Sequence, residues 1–241
     1  KRFEAELVKA EGRKFERSDR DMMDNARKVL SPGVETSVDD FHTIGRHFPP
    51  PAPFKTSTLQ QEASSVLRFT PRKTMRVAQG LYEGVTLEQT TVGLVTYMRT
   101  DSVNVAEQAQ QEARQFIKEQ YGADYLPESP PTYKTKAKGA QEAHEAIRPT
   151  SVLRTPAALK EYLDKSQYRL YSLIWNRFVA SQMTPAVYDT IAVEILAGSP
   201  SSVSAGGGEV QKPYLFRASG SSLRFKGFLA VYEEAKDEDE A

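Results

Sequence analysis

The chain has 241 residues, no cysteine and a formal net charge of zero, with 39% hydrophobic and 27% charged content. That apolar share suffices for one large domain or two small ones, and the missing thiol excludes disulfides, thiolate nucleophiles and cysteine-ligated zinc. Zero net charge removes any overall basic field, so affinity for nucleic acid has to come from local clusters of Lys and Arg. No apolar run approaches membrane-spanning length and the first residues carry no signal-peptide pattern, so a soluble chain with no membrane partner is expected. A start without methionine suggests a piece of something longer.

In chain order, Phe3, Ala5 and Leu7 alternate with charged residues, Glu11-Gly12 supplies a turn, and Lys14-Phe15-Glu16 can return, which predicts a hairpin. Asp19 is a candidate cap for a helix with Met22, Met23, Ala26, Val29 and Leu30 on one side, stopping at Ser31-Pro32-Gly33. His42 and His47 lack supporting acids and are read as structural, and the proline-dense Phe48 to Phe54 marks a boundary or hinge. Ser57 and Gln60 have capping-box spacing ahead of Leu59, Ala63, Val66 and Leu67. Thr70-Pro71 opens another helix with Met75, Ala78, Leu81 and Tyr82, completing a pair of the helix-turn-helix kind.

After a loop around Gly84, the β-formers of Val92 to Thr100 predict a strand, followed by a long helix with Val105, Ala109, Ala113, Phe116 and Ile117 that closes near Gly122. Pro127 to Gly139 reads as an exposed, lysine-bearing loop, and a short helical stretch is expected to end at Pro149. Thr155-Pro156 and Ser166 mark two more helix starts, the second burying Leu170, Leu173, Ile174 and Phe178. From Tyr188 to Leu196 a two-residue period puts Ile191, Val193 and Ile195 on one strand face. Gly198 to Gly208 reads as a flexible Gly/Ser loop, and Tyr214 to Tyr232 as a hairpin turning at Ser219-Gly220-Ser221, before an acidic tail. The pattern predicts an α+β, multidomain chain: a β-rich domain formed by both chain ends, with a mainly helical domain inserted between them.

One run carries chemistry: Gly93-Leu94-Val95-Thr96-Tyr97-Met98-Arg99-Thr100-Asp101-Ser102. On a strand Val95, Tyr97 and Arg99 share a face, setting a phenol beside a guanidinium. A phenol with a pKa of about 10 is a weak nucleophile until a cation or base stabilises its phenolate, and Arg can fork two donors onto a phosphate. The bland alternative is that Tyr97, one of eleven tyrosines, is a half-buried packing residue. A second cluster, Gln141-Glu142-Ala143-His144-Glu145-Ala146-Ile147-Arg148-Pro149, puts His144 and Arg148 four apart on one helix face, with Lys134, Lys136 and Lys138 approaching from the preceding loop. Such a site can grip phosphate, or His144 can simply pair with Glu145 or a backbone carbonyl. Asp237-Glu238-Asp239 has superficial metal-ligand spacing but reads as a solvated tail, so no metal site is assigned.

The run from Gly93 to Ser102 resembles the nucleophile motif of type IA DNA topoisomerases, and Ala143 to Pro149 resembles that family's other signature in the same domain. Ala52-Pro53-Phe54-Lys55-Thr56-Ser57-Thr58-Leu59-Gln60-Gln61 is similar to the family's entry into its helical domain, and Gln182-Met183-Thr184-Pro185-Ala186 with Tyr188-Asp189 to the return from it. The resemblance implies an arch-like β domain from residues 1–54 and 181–241 around a helical domain, 55–180, that bears the nucleophile. It implies that Tyr97 becomes linked to a 5′ phosphate, Arg99 holds the scissile phosphate and His144 lies near the DNA-binding cleft. Arg148 either touches DNA or orients the His144 segment.

The implied activity is ATP-independent relaxation of negative supercoils by cleaving one strand, passing another through the gap and resealing. The implied partners are single-stranded DNA and negatively supercoiled duplex DNA, in a cytoplasmic, nucleoid-associated setting. The family's N-terminal acidic metal-binding domain, with its Mg²⁺ site, and a further DNA-groove domain are not recognised in this sequence. Mg²⁺ is therefore expected for the full enzyme but not bound here, and this chain alone is expected not to relax DNA. The reading set against it is a non-catalytic nucleic-acid-binding module, suggested by the helix pair at 57–82 and the basic clusters at Arg72-Lys73 and Lys134 to Lys138.

Overall fold

Strand-forming residues near both chain ends meet in one sheet. The computed structural model describes residues 3–10, 12–16, 18–30, 34–133, 144–198 and 214–232. The expected stop at Ser31-Pro32-Gly33, the lysines at 134, 136 and 138, most of the Gly198–Gly208 stretch and the acidic tail lie outside these residues. The chain divides into two compact units, Lys1–His47 with Val187–Arg224, and Phe48–Ala186 with Phe225–Ala241.

The first unit is built on strands β1 (Glu6–Ala10), β2 (Arg13–Lys14), β3 (Thr36–Phe48), β6 (Ala186–Ala197) and β7 (Tyr214–Phe225), in the order β2-β1-β7-β6-β3. β1 and β2 form the N-terminal hairpin, and β1 runs antiparallel to β7 with a register shift between Leu7 and Lys9. Helix α1 (Arg20–Val29) starts where Asp19 accepts a hydrogen bond from the Met22 N–H at 3.0 Å. Its apolar stripe brings Met22, Ala26 and Leu30 onto a small core of Ala10, Ala197 and Tyr214, joined by Leu7, Phe15, Val34 and Phe216.

One expectation fails in this unit. Tyr214 to Tyr232 is not a hairpin: Ser219-Gly220-Ser221 lies inside the uninterrupted β7, and a 3-10 turn, Gly227–Ala230, follows. Turn residues give way here because β7 continues alongside β6, to which it is tied on either side of Ser219-Gly220-Ser221 by the ion pairs Arg217–Glu194 and Arg224–Asp189. Strand β3 has no counterpart in the sequence reading, because all thirteen residues are exposed and hence carry no buried alternation. Strand β6 keeps the expected alternation, with Ile191, Val193 and Ile195 on one face, where Ile191 is exposed and the other two are half-buried.

The second unit is helical at its centre: α2 (Thr56–Leu67), α3 (Pro71–Glu83), α4 (Glu107–Tyr121), α5 (Pro156–Leu159) and α6 (Lys165–Ser181). Between α3 and α4 lies a two-stranded hairpin, β4 (Val85–Leu87) and β5 (Thr90–Val92), where the sequence suggested only a loop. Helix α6 packs against α2, α3 and α5. It buries Leu170, Tyr171, Ile174 and Phe178, each worth roughly 1.5–3 kcal/mol of transfer free energy.

Thr70 caps α3 through the Lys73 N–H, with Pro71 in the first turn. The start of α6 is earlier than Ser166, because Asp164 accepts from the Ser166 and Gln167 N–H groups and Gln167 returns a bond to the Asp164 N–H. Helix α2 begins before Ser57, at Lys55, whose N–H donates to Thr58 Oγ1 at 3.1 Å.

Three buried phenols tie this unit together. Tyr133 donates to the Ser181 carbonyl at 2.7 Å, Tyr171 to that of Arg154 at 2.6 Å, and Tyr232 to Glu62 Oε1 at 2.9 Å. Burial, ahead of the charges nearby, pushes all three well above the usual tyrosine range. Above a pH of about 10 the unfolded chain loses phenolic protons that the folded chain retains, so the unfolded state then binds fewer protons. Their contribution to stability is complete below about pH 10 and declines as pH rises beyond it. Urea midpoints should be level from about pH 7 to 9 and fall steadily above 10, and a level profile through about pH 11 would contradict this linkage.

Candidate active site

The three motifs of the helical unit meet through backbone bonds. Val95 bridges Pro149 and Phe54 bridges Ile147, both antiparallel. The Thr96 N–H donates to the Arg148 carbonyl at 2.9 Å, while its hydroxyl donates to the Ala146 carbonyl at 2.6 Å and accepts from the Arg148 N–H at 3.0 Å. Thr56 does the same on the other side: its hydroxyl donates to the Met98 carbonyl at 2.8 Å and accepts from the Thr100 N–H at 2.9 Å. The Thr100 and Ser102 hydroxyls then each accept a backbone N–H two residues on, turning the chain towards α4.

This framework corrects two sequence expectations. Strand structure ends with β5 at Val92; residues 93–100 carry only the single bridge at Val95 and bend at Met98 and Arg99, because their partners are isolated hydroxyls and carbonyls from Thr56 and residues 146–150. Residues 144–149 are not helical. Their N–H groups bond across the chain, Ala146 to the Asn104 carbonyl and Ile147 to that of Phe54, and Arg148 precedes a proline, which disfavours the helical backbone. His144 and Arg148 therefore do not share a helix face.

The clamps fix which side chains are free. Val95, Met98 and Thr100 are buried, whereas Tyr97 and Arg99 are exposed, Tyr97 by 45%. The Tyr97 ring meets Tyr82 edge-on, with centroids 5.3 Å apart. Tyr82 was read only as a helix residue, and its spacing held no sign of this contact. Arg99 lines an open groove of about 480 Å³ with Arg72, Met75, Arg76, Gln79, Gly80 and Glu83 of α3. The Arg72–Arg76 spacing of one helical turn was the available signal for that groove, and the reading by adjacent pairs missed it. Lys73, paired with Arg72 in the sequence reading, instead sits over the Phe69 ring at 3.9 Å.

Gly93 sets the join between α3 and this segment. A Cβ at Gly93 would stand 2.7 Å from the Tyr82 carbonyl oxygen, and the next residue's N–H bonds the Leu81 carbonyl at 2.8 Å. Gly93→Ala should therefore push the segment from Leu94 to Thr100 off the end of α3, costing about 1–3 kcal/mol. Thermal denaturation would show it, and an unchanged midpoint would rule out the close approach.

His144 is exposed. Glu145 does not pair with it, as its carboxylate accepts from the Ala106 N–H at 3.0 Å and from Arg148 Nη2 at 2.6 Å. Arg148 also donates from Nη1 to the Pro149 carbonyl at 3.0 Å, leaving its side chain only 12% exposed. Gln141, Glu142 and Ala143 lie outside the described residues. Among those described, no cluster of three or more His, Cys, Asp or Glu side chains is arranged to hold a metal ion, and no helix is long and apolar enough to cross a membrane.

A family model described as DNA topoisomerase matches residues 2–241. DNA topoisomerase 1 of Xylella fastidiosa strain Temecula1 is 46% identical over 245 residues, a stretch that covers 99% of this chain and 28% of that protein. The same protein of strain 9a5c matches at 46% with the same coverage. Among solved structures, full-length topoisomerase I from Thermotoga maritima in a monoclinic crystal form aligns with a TM-score of 0.71 and 35% identity, over 98% of this chain and 35% of that one. The chain thus spans 28% of the length of the curated relatives it matches.

Proposed function

The chain belongs to the DNA topoisomerase family, and we propose that it supplies the nucleophile and part of the DNA-binding surface of a type IA enzyme. The observation that carries this reading is the clamped segment from Thr96 to Thr100, whose backbone is fixed on both sides while the Tyr97 and Arg99 side chains are left open to solvent. A nucleophile on a rigid backbone and an exposed cation two residues away are what in-line attack on a phosphodiester requires.

In the proposed step Tyr97 Oη attacks the phosphorus of one DNA strand. The new phosphorus–oxygen bond forms as the bond to the 3′ oxygen breaks; the phenolic proton leaves to solvent, and the 3′ oxygen takes up a proton to depart as a hydroxyl. Arg99 offsets the charge that builds on the phosphoryl oxygens. The product is a 5′-phosphotyrosine, itself a diester, so attack by the 3′ hydroxyl reverses the step and reseals the strand without ATP. Passage of a strand before resealing gives relaxation of negative supercoils.

His144, exposed beside the clamped segment, is assigned to DNA contact. Arg148 is assigned to orienting that segment, which its bonds to Glu145 and Pro149 support. Family membership supports a Mg²⁺ requirement in the whole enzyme. The described side chains do not fit a cation site, so no step is routed through one. The proposed organisation remains an arch domain from residues 1–54 and 181–241 with an inserted helical domain, 55–180. The division at His47 and Val187 supports it, while residues 225–232 group with the helical unit.

The test is covalent capture. This chain, with the rest of the parent protein supplied in trans, is mixed with 3′-labelled single-stranded DNA and Mg²⁺ and quenched with denaturant. Label retained on the chain supports the reading. No label, with association of the two parts shown independently, leaves a non-catalytic nucleic-acid-binding module as the better account.

A further inference from the structure

We infer that the groove along α3 is a track for the phosphate backbone of single-stranded DNA leading to Tyr97, with Arg72 and Arg76 as its phosphate contacts beyond the nucleophile motif. The inference rests on the DNA-cleaving reading of Tyr97 and adds two binding residues to it. Positions 72, 76, 79 and 83 recur at the spacing of one helix face, and all four side chains are exposed, whereas Thr74, Ala78 and Leu81 are buried on the opposite side. Arg99 faces the same groove from the nucleophile segment, so three guanidiniums line it against one carboxylate, Glu83.

That carboxylate is engaged locally, accepting a hydrogen bond from Gln79 Nε2 at 2.7 Å. Among the described residues, Arg72, Arg76 and Arg99 make no ion pair. Three like charges around one groove repel, and an anion relieves that repulsion while offering acceptors to their forked donors. Arg72 and Arg76 are separated by about one helical turn, roughly 6 Å along the axis, so each can take a different phosphate of an extended strand.

A single strand is favoured over a duplex because the track ends beside aromatic faces. Tyr82, at the end of α3, is 43% exposed and Tyr97 45% exposed, and the two rings meet edge-on. Exposed rings beside a basic groove make a stacking platform for unpaired bases, whose faces a duplex hides.

The test measures fluorescence anisotropy of a short labelled single-stranded oligonucleotide with this chain across a salt series. The double variant Arg72→Ala/Arg76→Ala should weaken binding at least about tenfold at low salt and reduce the log–log salt slope by about 1.4, two phosphates at roughly 0.7 each. Arg72→Lys/Arg76→Lys should keep most of the slope, since the charge remains. Both sites are exposed, so thermal midpoints should match the parent chain and exclude misfolding.

An unchanged slope in the alanine variant, or no salt-dependent binding by the parent chain, overturns the inference. So does a duplex of the same sequence that binds as tightly and loses as much slope, which would reassign the groove to double-stranded DNA. Slope and covalent capture are independent readings: a lowered slope with no label on Tyr97 keeps the track and rejects the nucleophile, and the reverse pattern does the opposite.

Discussion

Replacing Tyr97 with phenylalanine should abolish covalent capture of labelled DNA, a loss of several orders of magnitude that leaves only background label. The substitution removes the attacking oxygen and little else. Tyr97 is 45% exposed and its ring contact is the edge-on meeting with Tyr82, which phenylalanine preserves. The clamps around it are made by the Thr96 and Thr56 hydroxyls and the backbone, not by the phenol. Folding and affinity for single-stranded DNA should therefore stay close to those of the parent chain. Label that survives in the phenylalanine variant would assign the attack to another residue and end the proposal for Tyr97.

The second large effect is expected at Arg177. Its guanidinium is buried, donating from Nε to the Ala52 carbonyl at 2.7 Å and from Nη1 to the Tyr232 hydroxyl at 3.0 Å, which in turn donates to Glu62. It also lies over the Phe54 and Tyr232 rings, 4.9 and 5.2 Å from their centroids. Arg177→Leu fills part of the volume but leaves the Ala52 carbonyl and the Tyr232 hydroxyl short of a donor. Leaving a buried polar group without its partner costs about 1–3 kcal/mol, so about 3–5 kcal/mol is expected for the two together with the lost ring contacts.

For a chain of this size that is roughly a 10 °C fall in Tm, measurable by calorimetry. Arg177→Lys should recover little, because an ammonium cannot reproduce the two-pronged geometry. A fall of less than about 2 °C for the leucine variant would show that the network contributes little. The damage should reach the clamped segment too, since Phe54, under the guanidinium, gives its carbonyl to the Ile147 N–H.

What the sequence made legible follows from where each element gets its hydrogen bonds. The starts of α1, α3 and α5 could be read because their caps are local: the Asp19, Thr70 and Thr155 side chains each accept from an N–H three residues on. Ser219-Gly220-Ser221 has turn chemistry, and what keeps it extended is the neighbouring β6, a relation that no local signal encodes. Strand β3 left no trace, as a strand exposed along its whole length has no buried face to impose a period.

At the site the residue types were legible and their setting was not. Ala143 to Ile147 is rich in helix formers, yet the Ala146 and Ile147 N–H groups find the carbonyls of Asn104 and Phe54 instead. The pre-proline position of Arg148 was the one local sign of that outcome. Tyr97 and Arg99 stand free because Thr56 and Thr96 hold the residues beside them, a relation between distant positions that spacing along the chain does not encode.

The clamps behind Tyr97 join residues 42 to 57 positions apart, which has a bearing on the order in which the protein is made. Loop-closure entropy has to be met before such non-local pairings form, so this corner belongs to the late, high-contact-order part of folding. During synthesis the phenol leaves the ribosome well before Ala146 to Thr150, the stretch that backs it. A growing chain can thus display the tyrosine for some time without the frame that holds it, and the fixed setting of the phenol arrives with a later segment than the one that carries it.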